Sequence, residues 1–260
     1  MKKIKKEKIE KEILGRNRKL LPDLDDKRFA KEFLIDLSKF ERPNYDKVML
    51  FGINPGDAGK VIQNAPDFYF QFFSDNAMCK ELKIDASRYM RLNSELFNKI
   101  EARIFWSEFK YGYALENFKK FSNYEKYLEE FKNMYNIERM KNGPLIIFSN
   151  LFWYNDSKQK NITDELKKVK EKDKLKYVKE YLNYNIDYYN PKLIVVSNTV
   201  ASRLVMKALG IKPDVDKLEY RNIPIIFSRT VYPQHRFDGI SRERLKSQIK
   251  YEWEKVKKRD

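Results

Sequence analysis

Four short apolar runs stand out along the chain, each bounded by residues that favour turns. They cover residues 47–52, 144–148, 193–196 and 223–227. Short apolar runs without alternating polar positions are typical of strands buried on both faces of a parallel sheet. The pattern therefore predicts four buried strands.

Helical spacing of apolar residues precedes the first of these runs. It predicts two N-terminal helices, over residues 3–14 and 26–40. Gly15 and Pro22 are placed as breaks because glycine and proline interrupt helices.

Between the strands, the spacing predicts helices over about 163–187 and over 199–209, the second ending at Gly210. The segment of about 86–141 is too long for one crossover helix. We interpret it as two or three helices inserted between the first two strands. Aromatic residues at helical spacing, which are frequent there, more often form core than a ligand platform.

Strands that alternate with helices form right-handed crossovers and a mainly parallel sheet with helices on both faces. The predicted fold class is therefore α/β, a three-layer α/β/α sandwich around a central, mainly parallel four-stranded sheet. Residues 1–42 are expected to form an N-terminal helical extension and residues 86–141 a helical insertion. A single domain then covers 1–260.

The chain carries a large excess of positive charge. Its 54 lysines and arginines outnumber 38 aspartates and glutamates, which gives a formal net charge of +16. This sign attracts phosphate backbones and anionic membrane surfaces, and nucleic acid is the first partner we expect. A lysine-rich genome or solvated lysine faces on helices produce the same excess, so charge alone does not identify the partner.

Cysteine and histidine are scarce, with one residue of each, Cys79 and His235. A single cysteine excludes an internal disulfide and thiolate metal clusters, and it favours a reducing, cytoplasmic location. A single imidazole excludes multi-histidine sites, so we expect no metal and no cofactor. No apolar run approaches the roughly 20 residues of a membrane helix, so we expect a soluble protein without a membrane partner. We also expect a monomer.

The first predicted strand runs directly into a polar turn, residues 52–57, with the sequence Gly-Ile-Asn-Pro-Gly-Asp. Glycine tolerates backbone angles that other residues resist and proline fixes one angle, so Asn54 is held stiffly. In α/β proteins the chemistry lies where strands end at such turns. An ordinary turn has the same composition, so the motif needs support from the other strand ends.

Asparagine also follows the second and third apolar runs, at Asn150 and Asn198, and residues 232–236 follow the fourth. In a parallel sheet these turns converge on one edge. An asparagine amide carries a donor and an acceptor and can read the edge of a nucleobase. The alternative is that both asparagines cap helices, and for Asn198 capping is the better interpretation.

Together these motifs resemble the uracil-DNA glycosylase superfamily. Residues 52–56 look like the first active-site motif of its mismatch-specific and thymine-DNA glycosylase branch. Residues 146–150 are similar to its mid-chain strand ending in asparagine, and residues 193–197 to its next strand. Residues 232–242 occupy the place of its proline-centred loop. The four motifs cover about a fifth of the chain, in the family's order.

The resemblance implies a metal-independent DNA glycosylase that hydrolyses the N-glycosidic bond of a flipped-out uracil, mismatched or modified base. Asn54 would orient water beneath a sugar with oxocarbenium character, and Asp57 would either supply a carboxylate or be a turn residue. Base contacts are implied for Gly52, Ile53, Gly56 and Asn150, with stacking by Phe70.

The last loop is implied to bind DNA, either double- or single-stranded. The residues concerned are Tyr232, Pro233, Gln234, Arg236 and Arg242. His235 is a catalytic candidate for which phosphate contact ranks ahead of acid catalysis. The chain departs from the family here, since relatives often carry histidine at the position of Tyr232 and serine at that of Gln234.

Two other functions stay open from the sequence. The first is a binding module that retains the glycosylase fold and holds nucleic acid without cutting, which the altered last loop permits. The second is an enzyme for small molecules that uses the same edge of the sheet, favoured only by the generality of α/β folds.

Overall fold

The computed structural model describes residues 6–25, 46–53, 97, 100, 103–104, 143–154, 159–212, 218–228 and 239–259. The elements in these ranges, in chain order, are α1 (Lys6–Leu20), β1 (Lys47–Gly52), β2 (Arg103–Ile104), β3 (Leu145–Asn150), α2 (Gln159–Lys168), α3 (Glu171–Tyr189), β4 (Leu193–Val196), α4 (Thr199–Leu209), β5 (Glu219–Tyr220), β6 (Ile223–Phe227) and α5 (Gly239–Lys257).

The strands form one mostly parallel sheet in the order β2-β3-β1-β4-β6-β5. All described pairings are parallel except that of β5 with β6. The α/β class and the four predicted strands are confirmed. The sheet itself has six strands rather than the predicted four, because β2 and β5 add one short strand at each edge. Each has two residues, too few to produce a hydrophobic period.

The inner strands are buried on both faces. Consecutive residues Val48, Met49, Leu50 and Phe51 of β1 are all fully buried, as are the four residues of β4. Because successive side chains of a strand point to opposite faces, layers of structure must cover both sides of the sheet at these strands. This burial explains why the strands lack alternating polar positions.

β1 lies at the point where the strand order reverses. After β1 the chain forms β2 and then β3 on one side of β1, and it then crosses to β4 on the other side. In open α/β sheets the crevice beyond the carboxyl ends at such a switch point is where ligands bind. The topology therefore directs attention to the ends of β1, β3 and β4.

The helix predicted over 163–187 is two helices in the structure, α2 and α3, which meet at Val169 and Lys170. Lys170 has extended backbone angles (φ −56°, ψ 134°) that interrupt the helix without glycine or proline. α3 ends at Asn190, whose left-handed conformation (φ 48°) lets its N–H donate to the carbonyl of Ile186. Asparagine tolerates this conformation better than most residues.

α1 extends beyond its predicted end at Gly15 and finishes at Leu20, with Pro22 two residues further on. Glycine in a helix costs only about 1 kcal/mol, and burial of neighbouring apolar residues offsets that cost. Ile13, Leu14 and Leu21 belong to the shared core. The described part of the N-terminal segment, residues 6–25, thus contributes to the shared core, while the second predicted helix, 26–40, lies outside the described residues.

Most of the segment predicted as a helical insertion, 86–141, lies outside the described residues. Within it, Phe97 and Ile100 are buried, and residues 103–104 form strand β2. The helical prediction is wrong for Arg103 and Ile104, because they pair with Leu145 and Ile146 of β3.

The helix predicted over 199–209 and the strand predicted over 223–227 are confirmed as α4 and β6. α4 begins after its predicted cap Asn198 and ends at Leu209, followed by the C-cap Gly210, a glycine with positive φ (67°). β5 and β6 form a hairpin through Arg221 and Asn222, both with positive φ, as a type I′ turn requires. α5 packs against β4 and β6 through a buried stripe of Leu245, Ile249, Trp253 and Val256.

Candidate functional site

The carboxyl ends of β1 and β3 are level with each other. Gly52 and Asn150 are register partners in the parallel ladder. The pairing continues beyond the strands, because the N–H of Leu151 donates to the carbonyl of Gly52 (3.1 Å) and that of Phe152 to the carbonyl of Ile53 (2.9 Å). These bonds hold Ile53, the residue before Asn54, against the chain that leaves β3.

Asn150 is the last residue of β3, whereas the sequence placed it just past the strand. It does not cap a helix, since α2 begins only at Gln159. Its side chain is half-buried and lies on the same face of the sheet as position 52, because register partners share a face. The opposite face at this level carries Ser149 and Phe51, both of which contact Tyr181 of α3.

Gly52 has a different role from the one expected. The sequence suggested that it adopts backbone angles closed to other residues, yet among the described glycines only Gly210 has a positive φ. What Gly52 contributes is the absence of a side chain. β1 therefore places no side-chain atoms beside Asn150 on the face that they share.

The end of β4 is closed by hydrogen bonds. The N–H and the hydroxyl of Ser197 both donate to the carbonyl of Phe51, at 2.9 and 3.2 Å. The side-chain oxygen of Asn198 accepts from the N–H groups of Val200 (2.8 Å) and Ala201 (3.1 Å). The capping interpretation of Asn198 is confirmed, and its amide oxygen is committed to α4.

The chain after β3 is fully buried and anchored by α3. The hydroxyl of Tyr177 donates to the carbonyl of Leu151 (3.0 Å), and the ring of Phe152 stacks on that of Tyr177 at 5.5 Å. The indole N–H of Trp153 donates to the hydroxyl of Tyr181 (2.7 Å). Residues 151–153 are therefore part of the core.

The hydrogen bonds of this buried cluster have a single direction. The hydroxyl of Ser149 donates to Asn185 Oδ1 (3.1 Å), which can only accept. Ser149 has one hydrogen, so it must accept from the hydroxyl of Tyr181 at 2.7 Å, and Tyr181 accepts from Trp153. Asn185 Nδ2 donates to the carbonyl of Tyr181 (2.9 Å), which fixes the amide orientation.

Burial decides the protonation of the two tyrosines. Loss of solvent raises the pKa of Tyr181 to about 12, although its hydrogen bonds to Ser149 and Trp153 act in the opposite direction. Burial also raises the pKa of Tyr177 well above its usual value. Both phenols are neutral at pH 7, so the cluster offers structural support rather than a general base.

Three of the predicted site residues are brought together at the edge of the sheet, namely Gly52, Ile53 and Asn150. Arg242 lies in the first turn of α5, half-buried. The other predicted site residues lie outside the described residues: Asn54, Gly56, Asp57, Phe70, Tyr232, Pro233, Gln234, His235 and Arg236. Their catalytic, base-binding and DNA-binding roles stay predictions.

Sequence reasoning missed the α3 side of the site. Tyr177, Tyr181 and Asn185 recur at intervals of four residues, which places them on one helix face. The polar members of such a stripe were the available signal, since a buried asparagine or tyrosine hydroxyl needs a partner. Nothing in the sequence identified that partner as Ser149.

A groove of about 490 Å³ lies apart from these residues, where the end of α1 meets the junction of α2 and α3. Charges of both signs line it, from Lys19, Lys168 and Lys170 and from Asp23, Glu165 and Asp173. Lys168 pairs with Asp23 (3.1 Å) and Glu165 (2.6 Å). Opposite charges that neutralise each other do not favour a phosphate backbone in this groove.

Across the described ranges, no group of three or more histidine, cysteine, aspartate or glutamate residues is arranged to hold a metal ion. Nor does any helix there combine the length and apolar composition needed to cross a membrane. In comparisons with known proteins, no protein-family model and no curated protein matches the chain. The resemblance to the uracil-DNA glycosylase superfamily therefore rests on its short sequence motifs.

Proposed function

We propose that the protein is a monofunctional DNA glycosylase that hydrolyses the N-glycosidic bond of a flipped-out uracil, mismatched or modified base. The observation that carries the proposal is the register pairing of Gly52 with Asn150 at the carboxyl edge of the sheet. It joins the ends of two motifs that are far apart in sequence, beside the switch point where α/β sheets bind ligands.

In this proposal the attacking water and the departing base are each contacted by different residues. Asn54 orients the attacking water, and the amide of Asn150 contacts the edge of the extruded base while Phe70 stacks on its face. Negative charge that develops on the departing base is stabilised by backbone N–H donors near Gly56. An amide cannot deprotonate water, so we expect slow turnover unless Asp57 supplies the base.

The proposed partner is DNA, bound through the loop at 232–236 and Arg242. The net charge of +16 supports binding to phosphates. We further propose a three-layer α/β/α sandwich in one domain, with segment 86–141 as an insertion that is mainly helical. Burial of residues 48–52 of β1 and of all four residues of β4, on both faces of the sheet, supports the three layers. A cytoplasmic monomer without a metal or cofactor completes the proposal.

The test is mass spectrometry of free bases released from duplex and single-stranded DNAs that contain uracil, mismatched thymine or modified bases. We expect the wild type to release at least one of these bases. Asn54→Ala and Asn150→Ala should abolish or strongly reduce that release, whereas Asn161→Ala, a control on the exposed surface of α2, should not.

Two other outcomes identify the alternatives. If the wild type releases no base but binds DNA in a salt-sensitive way, the protein is a binding module on the same fold. If it has no affinity for nucleic acid under any of these conditions, an enzyme for small molecules is the better account.

A further inference from the structure

We propose that Tyr181 is a positioning residue that fixes Asn150 at the edge of the sheet, acting through the hydrogen bonds of the buried cluster. The role of Asn150 toward a base rests on the proposed function. The mechanical link between the two residues does not, because it follows from contacts within the protein.

The first step of the inference is that α3 holds the chain on both sides of Asn150. Ser149, one residue before it, is bonded to the hydroxyl of Tyr181 at 2.7 Å. The carbonyl of Leu151, one residue after it, accepts from the hydroxyl of Tyr177 at 3.0 Å. With Gly52 bonded to the N–H of Leu151, the main chain at Asn150 is fixed from α3 and from β1.

The second step concerns the direction of the hydrogen bonds. Trp153 donates to Tyr181 and Ser149 donates to Asn185 Oδ1, so the single hydrogen of Ser149 is used and Tyr181 donates to Ser149. The Tyr181 hydroxyl is the junction of the cluster, because it bonds to both Trp153 Nε1 and the hydroxyl of Ser149, and removing it deletes both of these buried hydrogen bonds. The segment 149–153 then loses two of its attachments to α3.

The third step is that the cluster and Asn150 lie on opposite faces of the sheet. Ser149 faces α3, so the next residue, Asn150, faces away from it. Tyr181 therefore cannot touch a ligand bound by Asn150 on that face. Any effect of Tyr181 on such a ligand must pass through the main chain of β3, which defines a positioning role rather than a catalytic one.

The experiment compares Tyr181→Phe with Tyr220→Phe in the full-length protein. Tyr220→Phe is the matched control, since its hydroxyl also bonds to α3, at Asn183 (3.0 Å), from the distant hairpin. The first readout needs no DNA. It is the side-chain amide resonance of Asn150 in asparagine-labelled protein, assigned by its loss in Asn150→Ala. The second readout is single-turnover base release.

Tyr181→Phe should shift or broaden the Asn150 resonance and lower the single-turnover rate constant by about 10- to 100-fold, with KM nearly unchanged. Tyr220→Phe should leave both readouts at their wild-type values. If Tyr181→Phe does not fold, Ser149→Ala interrupts the same chain and should shift the same resonance.

An unchanged Asn150 resonance in Tyr181→Phe, or an equal shift in Tyr220→Phe, overturns the positioning role. If the wild type releases no base, the proposed glycosylase function fails separately. The resonance still decides whether Tyr181 positions Asn150.

Discussion

Gly52 of β1 and Asn150 of β3 are register partners at the carboxyl edge of the sheet, and the glycine leaves the face beside the asparagine without a β1 side chain. Each residue comes from one of the motifs on which the proposed glycosylase function rests. The β1 switch point, and not nearness in sequence, brings the two motifs together.

A methyl group at position 52 should therefore reduce base release strongly and change the stability of the fold only slightly. Gly52 does not have a positive φ, so alanine is compatible with its backbone, and we expect Gly52→Ala to change the free energy of unfolding by no more than about 1 kcal/mol. Because the methyl group lies next to Asn150, base release should fall at least about tenfold. Urea denaturation and single-turnover assays measure the two effects. Equal activity in the variant would contradict this account of Gly52.

Gly15→Ala is the matched glycine substitution away from the site. Gly15 lies inside α1, and a Cβ atom at this position meets no other atom within 4 Å. Alanine has the higher helix propensity, so the free energy of unfolding should rise by about 0.5–1 kcal/mol with base release unchanged. A destabilised variant would show that the glycine is needed for packing.

Alkaline pH should weaken the fold through Tyr181. Its pKa is about 12 when folded and near 10 when unfolded, so above pH 10 the unfolded chain binds fewer protons than the folded one. The contribution of Tyr181 to stability should be constant below pH 10 and be lost between pH 10 and 12, by up to about 2–3 kcal/mol. Urea denaturation at pH 9, 10 and 11 measures this slope. Tyr181→Phe should reduce the slope, and an identical slope in both proteins would exclude Tyr181 as its source.

The cap of α4 predicts a contrast between two substitutions of Asn198. Asn198→Ala removes the acceptor of two N–H groups and should cost about 1 kcal/mol of unfolding free energy. Asn198→Asp keeps an acceptor at the positive end of the helix and should retain most of the stability. Chemical denaturation of the three proteins tests this. A similar loss in both variants would mean that the amide nitrogen of Asn198 has a further role.

An element could be predicted from the sequence when its apolar run was long and was bounded by turn residues. β1, β3, β4 and β6 are continuous apolar runs and could be found at once. β2 has two residues, and β5 is joined to β6 by Arg221 and Asn222, of which arginine gives no turn signal. The break between α2 and α3 at Lys170 contains no glycine or proline. The helical spacing of apolar residues therefore predicted one helix where the structure has two.

The site divides in the same way. Gly52 and Asn150 could be placed at one edge because parallel strands share a carboxyl end. Tyr181 could not be assigned, since its role depends on which face of α3 meets Ser149 in the folded chain. Tertiary packing decides which distant side chains pair, and a single sequence does not reveal that packing.

The central claim is that a nucleobase occupies the space beside Gly52 and Asn150, and photo-crosslinking tests it most directly. DNA containing a single 5-iodouracil is irradiated with the wild-type protein, and the attached peptide is identified by mass spectrometry. We predict attachment within residues 52–57 or 149–153, reduced by competing uracil-containing DNA. Attachment confined to other parts of the chain, such as α5 or the groove between the end of α1 and the α2–α3 junction, would contradict the account.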